Sequence, residues 1–240
     1  MKTTLSQRAH HGFTLVEMAM VLVIVGLMLG GLITPLSAQL EQRRVGETQK
    51  ALEEAREALV GYAVRYGHLP CPAISAANGL EDRSGTRCAN EKRAGFLPWA
   101  TLGLSKLDSW NHLLRYSVTP AFSDSAPAAH FTFLTPRDIT VATRDLQGNL
   151  VPATASADIP AVVISHGKNG YGATSEQGRL IADVGQGNAD EKLNASSATS
   201  FVTRPSNDNP AQPGGEFDDL VVWVSPNILF NRMVSAQRLP

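Results

Sequence analysis

The 240-residue sequence predicts an α+β fold in which one long amino-terminal helix packs against a small antiparallel sheet. Residues 13–36 form an apolar run of 24 positions with a single charge, Glu17, and helical spacing of apolar residues continues as far as Tyr66. Behind it come short alternating segments joined by turn-rich links, the pattern of strands packed on a helix. The average composition is blander: 18 % charged, 43 % hydrophobic, net charge −1, pI near 6.6 and mean hydropathy −0.09. These values exclude a polytopic membrane protein, a mainly disordered chain and a strongly basic nucleic-acid binder. Two cysteines exclude a disulfide-dense mini-domain and a four-cysteine zinc site.

As a helix, the run 13–36 spans about 36 Å at ~1.5 Å per residue, and a bilayer core needs ~20 apolar residues. Lys2 and Arg8 precede it, with His10 and His11, and positive charge there keeps the amino terminus cytoplasmic. A cleaved secretory signal has a shorter apolar core and a small-x-small site, for which Ser37-Ala38-Gln39 is a poor match. Gly26, Gly30, Gly31 and Pro35 fall in the run. Glycine costs about 1 kcal/mol in a helix interior and proline about 3, so 30–35 reads either as a loosened point or as a kink with close helix packing. Val45, Leu52, Ala55, Leu59, Tyr62 and Tyr66 then recur at intervals of three, four or seven, one face of an amphipathic helix. Gly67 and Pro70 end it.

The string His11-Gly12-Phe13-Thr14-Leu15-Val16-Glu17 resembles the processing site of type IV prepilins and of type II secretion pseudopilins. The resemblance implies a pilin-like fold and a division into a leader peptide (1–12), a transmembrane and assembly half of the stem (13–36), an amphipathic half (37–67) and a periplasmic outer domain (68–240). It implies that a prepilin peptidase/methyltransferase cuts after Gly12 and methylates Phe13, with Glu17 as the buried assembly glutamate. A carboxylate in hydrocarbon costs roughly 2.5–3.5 kcal/mol and wants a partner. In a staggered array of parallel stems, Glu17 of one subunit neutralises the Phe13 ammonium of another and sets register; in an uncleaved anchor, Glu17 would instead snorkel to the headgroups.

Past the stem, translocation places Cys71 and Cys88 in an oxidising periplasm, where an isolated pair bridges rather than remaining as two buried thiols. Leu114, Tyr116 and Val118 alternate with Arg115 and Ser117 as a half-buried strand. Further strands are expected over 131–134, 139–143, 161–165 and 220–225, with Gly148-Asn149 as a hairpin turn. Residues 182–216 are poor in apolar side chains and read as a long surface loop. Ser225-Pro226 reads as the cap and first position of a short terminal helix. The loop at 78–83 lacks the early aspartates of a calcium loop.

Asp108-Ser109-Trp110-Asn111, the turn from Ile164 to Gly170 and Asp218-Asp219-Leu220-Val221-Val222-Trp223 resemble strand entry, turn and closing strand of the major pseudopilin and related minor pilins, although Asn111 stands where glycine is usual. That resemblance also implies Ca2+ at the loop before the last strand, where Asn207, Asp208, Asn209, Glu216, Asp218 and Asp219 supply oxygens. Two readings stand there, a structural calcium at Asp218 and Asp219 or a solvated acidic turn. No other cofactor is expected. Ser165 and His166 sit beside each other, but strand neighbours point to opposite faces, so no triad and no enzyme is expected.

The functional expectation is a structural subunit, of minor type given 228 residues after cleavage, in a type IV pilus or type II secretion pseudopilus. It would cross the inner membrane once, with its outer domain in the periplasm or on a surface filament. Its partners would be the peptidase, other pilins or pseudopilins and the inner-membrane assembly platform. The alternative is a pilus-mounted binding module, an adhesin or DNA-uptake component. Loss of Lys2 and Arg8 moves the net charge to −3, which argues against nucleic acid.

Overall fold

The computed structural model describes residues 14–182, 184, 185 and 187–239, and the side chains of all of these except 29–35. The architecture is α+β, with an amino-terminal helix and small sheets, consistent with a pilin-like fold. The chain divides into two compact units, Met1–Arg43 and Arg44–Pro240.

The first element, α1, spans Leu15–Tyr66, and its backbone stays helical through 30–35. In the first unit its apolar side chains are uncovered: Leu15 is 87 % exposed and Leu27 73 %. In the second unit Thr48, Leu52, Ala55, Leu59, Val60 and Ala63 are buried, at the spacing of one helix face. Burying a leucine such as Leu52 or Leu59 stabilises by about 1.5–3 kcal/mol. Val45 and Tyr66, expected on that face, are 38 % and 46 % exposed, because the buried face ends before it reaches them. The helix stops at Gly67, whose φ is +83°. A side chain there would lie 2.6 Å from His130 Nδ1, so glycine is required twice over.

A two-strand hairpin follows, β1 (Arg83–Ser84) with β2 (Arg87–Cys88), and Cys88 is bonded to Cys71. Glu81 ties this loop to α1. Its carboxylate accepts the Tyr62 hydroxyl at 3.0 Å, the Cys71 N–H at 3.0 Å and the Arg83 guanidinium at 3.0 Å. Then come β3 (Ala94–Phe96), α2 (Trp99–Leu102), β4 (Arg115–Val118), α3 (Pro120–Ser123), β5 (Thr140–Arg144), β6 (Leu150–Pro152) and β7 (Ala161–Ser165). The chain ends with α4 (Ala189–Ser196), β8 (Ser200–Val202), β9 (Leu220–Trp223) and α5 (Pro226–Ser235). The central sheet is antiparallel in the order β3-β4-β7-β9. A second sheet, β6-β5-β8, pairs β5 with β6 antiparallel and with β8 parallel.

The central sheet is covered on both faces. Leu114, Tyr116, Val118, Ala161, Val163 and Val222 meet α1 and the Leu229 and Met233 face of α5. Val162, Ile164 and Val221 meet Val141 of β5 and Phe201 of β8. The alternation at 114–118 is therefore realised, while β7 is buried along its whole length. The hairpin at Gly148 forms, with φ +84° there. Asn111 adopts φ +66°, a conformation that asparagine tolerates better than most non-glycine residues, which explains how it replaces glycine.

Two further expectations fail. Residues 131–134 form no strand: Phe131 enters the core, and Thr132 N–H bonds the Thr135 hydroxyl at 2.8 Å in a tight turn. Threonine hydroxyls there offer the backbone a local alternative to a ladder. Residues 182–216 are also more than a surface loop, since they contain α4 and β8. Helix α4 buries Asp190, Glu191 and Asn194 rather than apolar groups, so hydrophobic periodicity could not reveal it.

The bond between Cys71 and Cys88, 17 positions apart, should contribute roughly 3 kcal/mol by restricting the unfolded chain. Cys71→Ser with Cys88→Ser should lower the unfolding free energy by that amount in denaturant titration. An unchanged midpoint, or two alkylatable thiols in the wild-type chain, would refute it.

Candidate functional site

Two groups of polar side chains stand out, one at the start of α1 and one beneath the end of the central sheet. Gly12 and Phe13 lie outside the described residues, but Glu17 lies within them. Thr14 precedes the first helical residue. Its hydroxyl accepts the Glu17 N–H at 3.2 Å, while the Glu17 Oε2 accepts the Thr14 N–H at 2.8 Å and its hydroxyl at 2.8 Å. This is a capping box, in which two orphan donors of the first turn are satisfied reciprocally. The spacing Thr14-Leu15-Val16-Glu17 carries that signal in the sequence. Glu17 has a second role besides the one its apolar setting suggests: it starts the helix.

Around it Val16, Met20, Val23 and Leu27 are all more than 60 % exposed. Among the described residues no helix is long and apolar enough to cross a membrane. The expected span of 13–36 includes Phe13 and the side chains of 29–35, which lie outside them.

The second group is acidic. Glu191 from α4 joins Asp218 and Asp219 at the entry to β9, with carboxylate oxygens within 4.8 Å of one another. Glu191 Oε1 accepts Asn169 Nδ2 at 2.9 Å and the Asp218 N–H at 2.9 Å, and Oε2 accepts Asn188 Nδ2 at 3.1 Å. Asp219 is held by Asn194 Nδ2 at 2.8 Å and lies 3.3 Å from His166 Nδ1. Asp218 Oδ2 accepts the Asn169 N–H at 2.8 Å, whereas its Oδ1 is buried with no hydrogen-bond partner. Burial, reinforced by Glu191 and Asp219, pushes the Asp218 carboxyl up to about 7, and burial also raises that of Glu191. Gly167, with φ +56°, lets the turn wrap this closely; a Cβ would stand 2.3 Å from the Asp218 carbonyl oxygen.

Three carboxylates this close repel one another when ionised, a repulsion that a bound proton or a cation would relieve. Oxygen ligands suit calcium, and the open Asp218 Oδ1 is where a cation would gain most. Of the expected oxygen donors, the structure unites Asp218 and Asp219 but not Asp208 or Glu216, which are outside the cluster. Glu191 was missed because its stretch reads as a loop; the only hint is its place in a short polar run flanked by glycine and asparagine.

Ser165 and His166 turn to opposite sides, as strand geometry requires. The Ser165 hydroxyl donates to Asp108 Oδ2 at 2.6 Å, while His166 faces Asp219. Two different carboxylates therefore hold them, and they form no catalytic chain.

The family model of the prokaryotic N-terminal methylation motif matches residues 7–33, which contain Gly12, Phe13 and Glu17. Comparison with curated proteins and with solved structures gave no match. At residues 7–33 the chain carries the prepilin-type cleavage and methylation signal of type IV pilins and pseudopilins.

Proposed function

We propose that this chain is a structural subunit, of minor type, of a type IV pilus or a type II secretion pseudopilus. The methylation motif carries the reading, since it implies processing by a prepilin peptidase and assembly with other pilins. The uncovered apolar surface of α1 supports it: such a surface must be buried by lipid or by other stems. In this reading the peptidase cuts after Gly12 and methylates Phe13, the stem is held in the inner membrane with the outer domain in the periplasm, and an assembly platform there draws it into the filament.

The capping box refines the part given to Glu17. Before assembly, the carboxylate is occupied by Thr14 of its own chain, which lowers the cost of holding it in an apolar setting. On assembly it meets the Phe13 ammonium of a neighbouring subunit, a charge-assisted contact stronger than a neutral one. The acidic cluster, in turn, holds a structural calcium that joins α4 to β9 and fixes the fold of the outer domain.

Mass spectrometry of the mature protein tests the class: its amino terminus should be methylated Phe13, and an intact Met1 would reject it. Glu17→Leu should be processed normally yet fail to enter filaments, and normal incorporation would remove the role given to that carboxylate.

The cluster predicts a pH dependence. The Asp218 carboxyl sits at about 7 when folded, against 3.8 ordinarily, so the folded state binds its proton more tightly. Its contribution to stability is thus greatest below about pH 4 and declines as pH rises toward 7. In chelator, melting temperature should fall across this range, and calcium should restore it at pH 7.5. Asp218→Asn should abolish both responses. Identical melting with calcium and with chelator would dispose of the site.

A further inference from the structure

The sequence holds two Asn-Gly pairs, Asn78-Gly79 and Asn169-Gly170. Such a pair matters chemically, because the nitrogen of a residue without a Cβ is the least hindered backbone nucleophile that a preceding asparagine side chain can meet. The fold treats the two pairs in opposite ways.

They share one feature. Asn78 Oδ1 accepts the Leu80 N–H at 3.1 Å, and Asn169 Oδ1 accepts the Tyr171 N–H at 2.9 Å. Each bond closes an Asx turn whose ring contains the glycine nitrogen. A donor on that side-chain oxygen favours the negative charge it gains when its carbon is attacked.

The pairs differ in the two groups that must react. At Asn169 both are occupied: Nδ2 donates to Glu191 Oε1 at 2.9 Å, and the Gly170 N–H donates to the His166 carbonyl at 3.1 Å. Asn78 is exposed, in the loop closed by the bond between Cys71 and Cys88. Among the described residues, neither its Nδ2 nor the Gly79 N–H has an acceptor. Residue 79 is fixed instead through its carbonyl, which accepts the Ala100 N–H at 3.0 Å. Glycine is required there for a separate reason, since a Cβ would stand 2.1 Å from the Trp99 ring. Packing of Trp99 thus keeps the reactive pair in place.

We propose that Asn78 is a site of spontaneous modification, converted through a cyclic imide to aspartate and isoaspartate, and that the fold protects Asn169 from the same reaction. The Gly79 nitrogen attacks Asn78 Cγ and forms an N–Cγ bond. The Cγ–Nδ2 bond breaks, and ammonia leaves with the Gly79 amide proton. One water then opens the imide: at Cγ it gives aspartate, and at the backbone carbonyl it gives isoaspartate, with the chain running through Cγ. Nothing is oxidised or reduced. Either product adds a negative charge, and isoaspartate lengthens the main chain by one atom beside the bond from Ile74 N–H to the Leu80 carbonyl at 2.9 Å. This goes beyond the filament reading and does not depend on it.

The test is to age the purified full chain in detergent in mildly alkaline buffer, digest it at acid pH and weigh the peptides. The peptide with Asn78 should gain one mass unit, split into two isomers and take up one heavy oxygen from labelled water. Asn169 should convert more than about 10-fold more slowly, because its bonds to Glu191 and His166 must open first. In denaturant the two should convert at similar rates. Asn78→Gln, whose longer side chain needs a larger ring, should abolish the mass gain in its peptide. An unchanged Asn78 peptide, equal rates at the two sites in the folded chain, or a mass gain that survives in Asn78→Gln would overturn the proposal. A difference that persists in denaturant would overturn it too, because the fold would then not be its cause.

Discussion

Strand β7 is apolar and buried on both faces, and the remainder of the outer domain follows from having to cover it. Antiparallel sheets commonly leave one face to water, and a strand reading Ala-Val-Val-Ile-Ser cannot. One face is covered by the buried stripe of α1 together with α5. The other needs a second layer, which the chain builds from β5, β6 and β8. The segment 182–216 is therefore part of the architecture, since Phe201 of β8 enters the core beneath β7 and β9.

That second layer is fastened by polar groups. Asn194 of α4 bonds Val202 of β8 in both directions, at 2.9 and 2.7 Å, and also reaches Asp219. Asp190 draws in arginines from β5 and from the chain after β8. Buried networks of this kind specify one arrangement when every member is satisfied. Asp218 Oδ1, buried without a hydrogen-bond partner, sits where three carboxylates converge, and burial there favours the protonated form of Asp218.

What was legible in the sequence is what rests on repetition or on special backbone geometry. The alternation at Leu114, Tyr116 and Val118 announced β4, the apolar run at 161–165 announced β7, and Gly67, Gly148 and Pro226 marked a stop, a turn and a start. The string at 11–17 was readable because a processing enzyme must read it as a linear motif. Helix α4 was illegible for the opposite reason: its buried side chains are Asp190, Glu191 and Asn194, and only three-dimensional partners make their burial tolerable. The failure at 131–134 is related. Phe131 and Phe133 look like a strand by composition, but Phe131 stacks on Phe122 at 4.7 Å while the threonines close a turn.

The ladder register also orders events in time. The disulfide closes a short loop, and Glu81 anchors it to Tyr62 of a helix that has already emerged. Strand β4 can then meet β3 and β7, whereas β9 must wait until a further stretch of chain has been delivered, since Leu220 pairs with Ser165 across the whole of α4 and β8. Distant pairings pay more loop-closure entropy and form later. The strands thus lie across the sheet in the order in which the chain delivers them, and the last delivered is the one whose outer side has no backbone partner among the described residues.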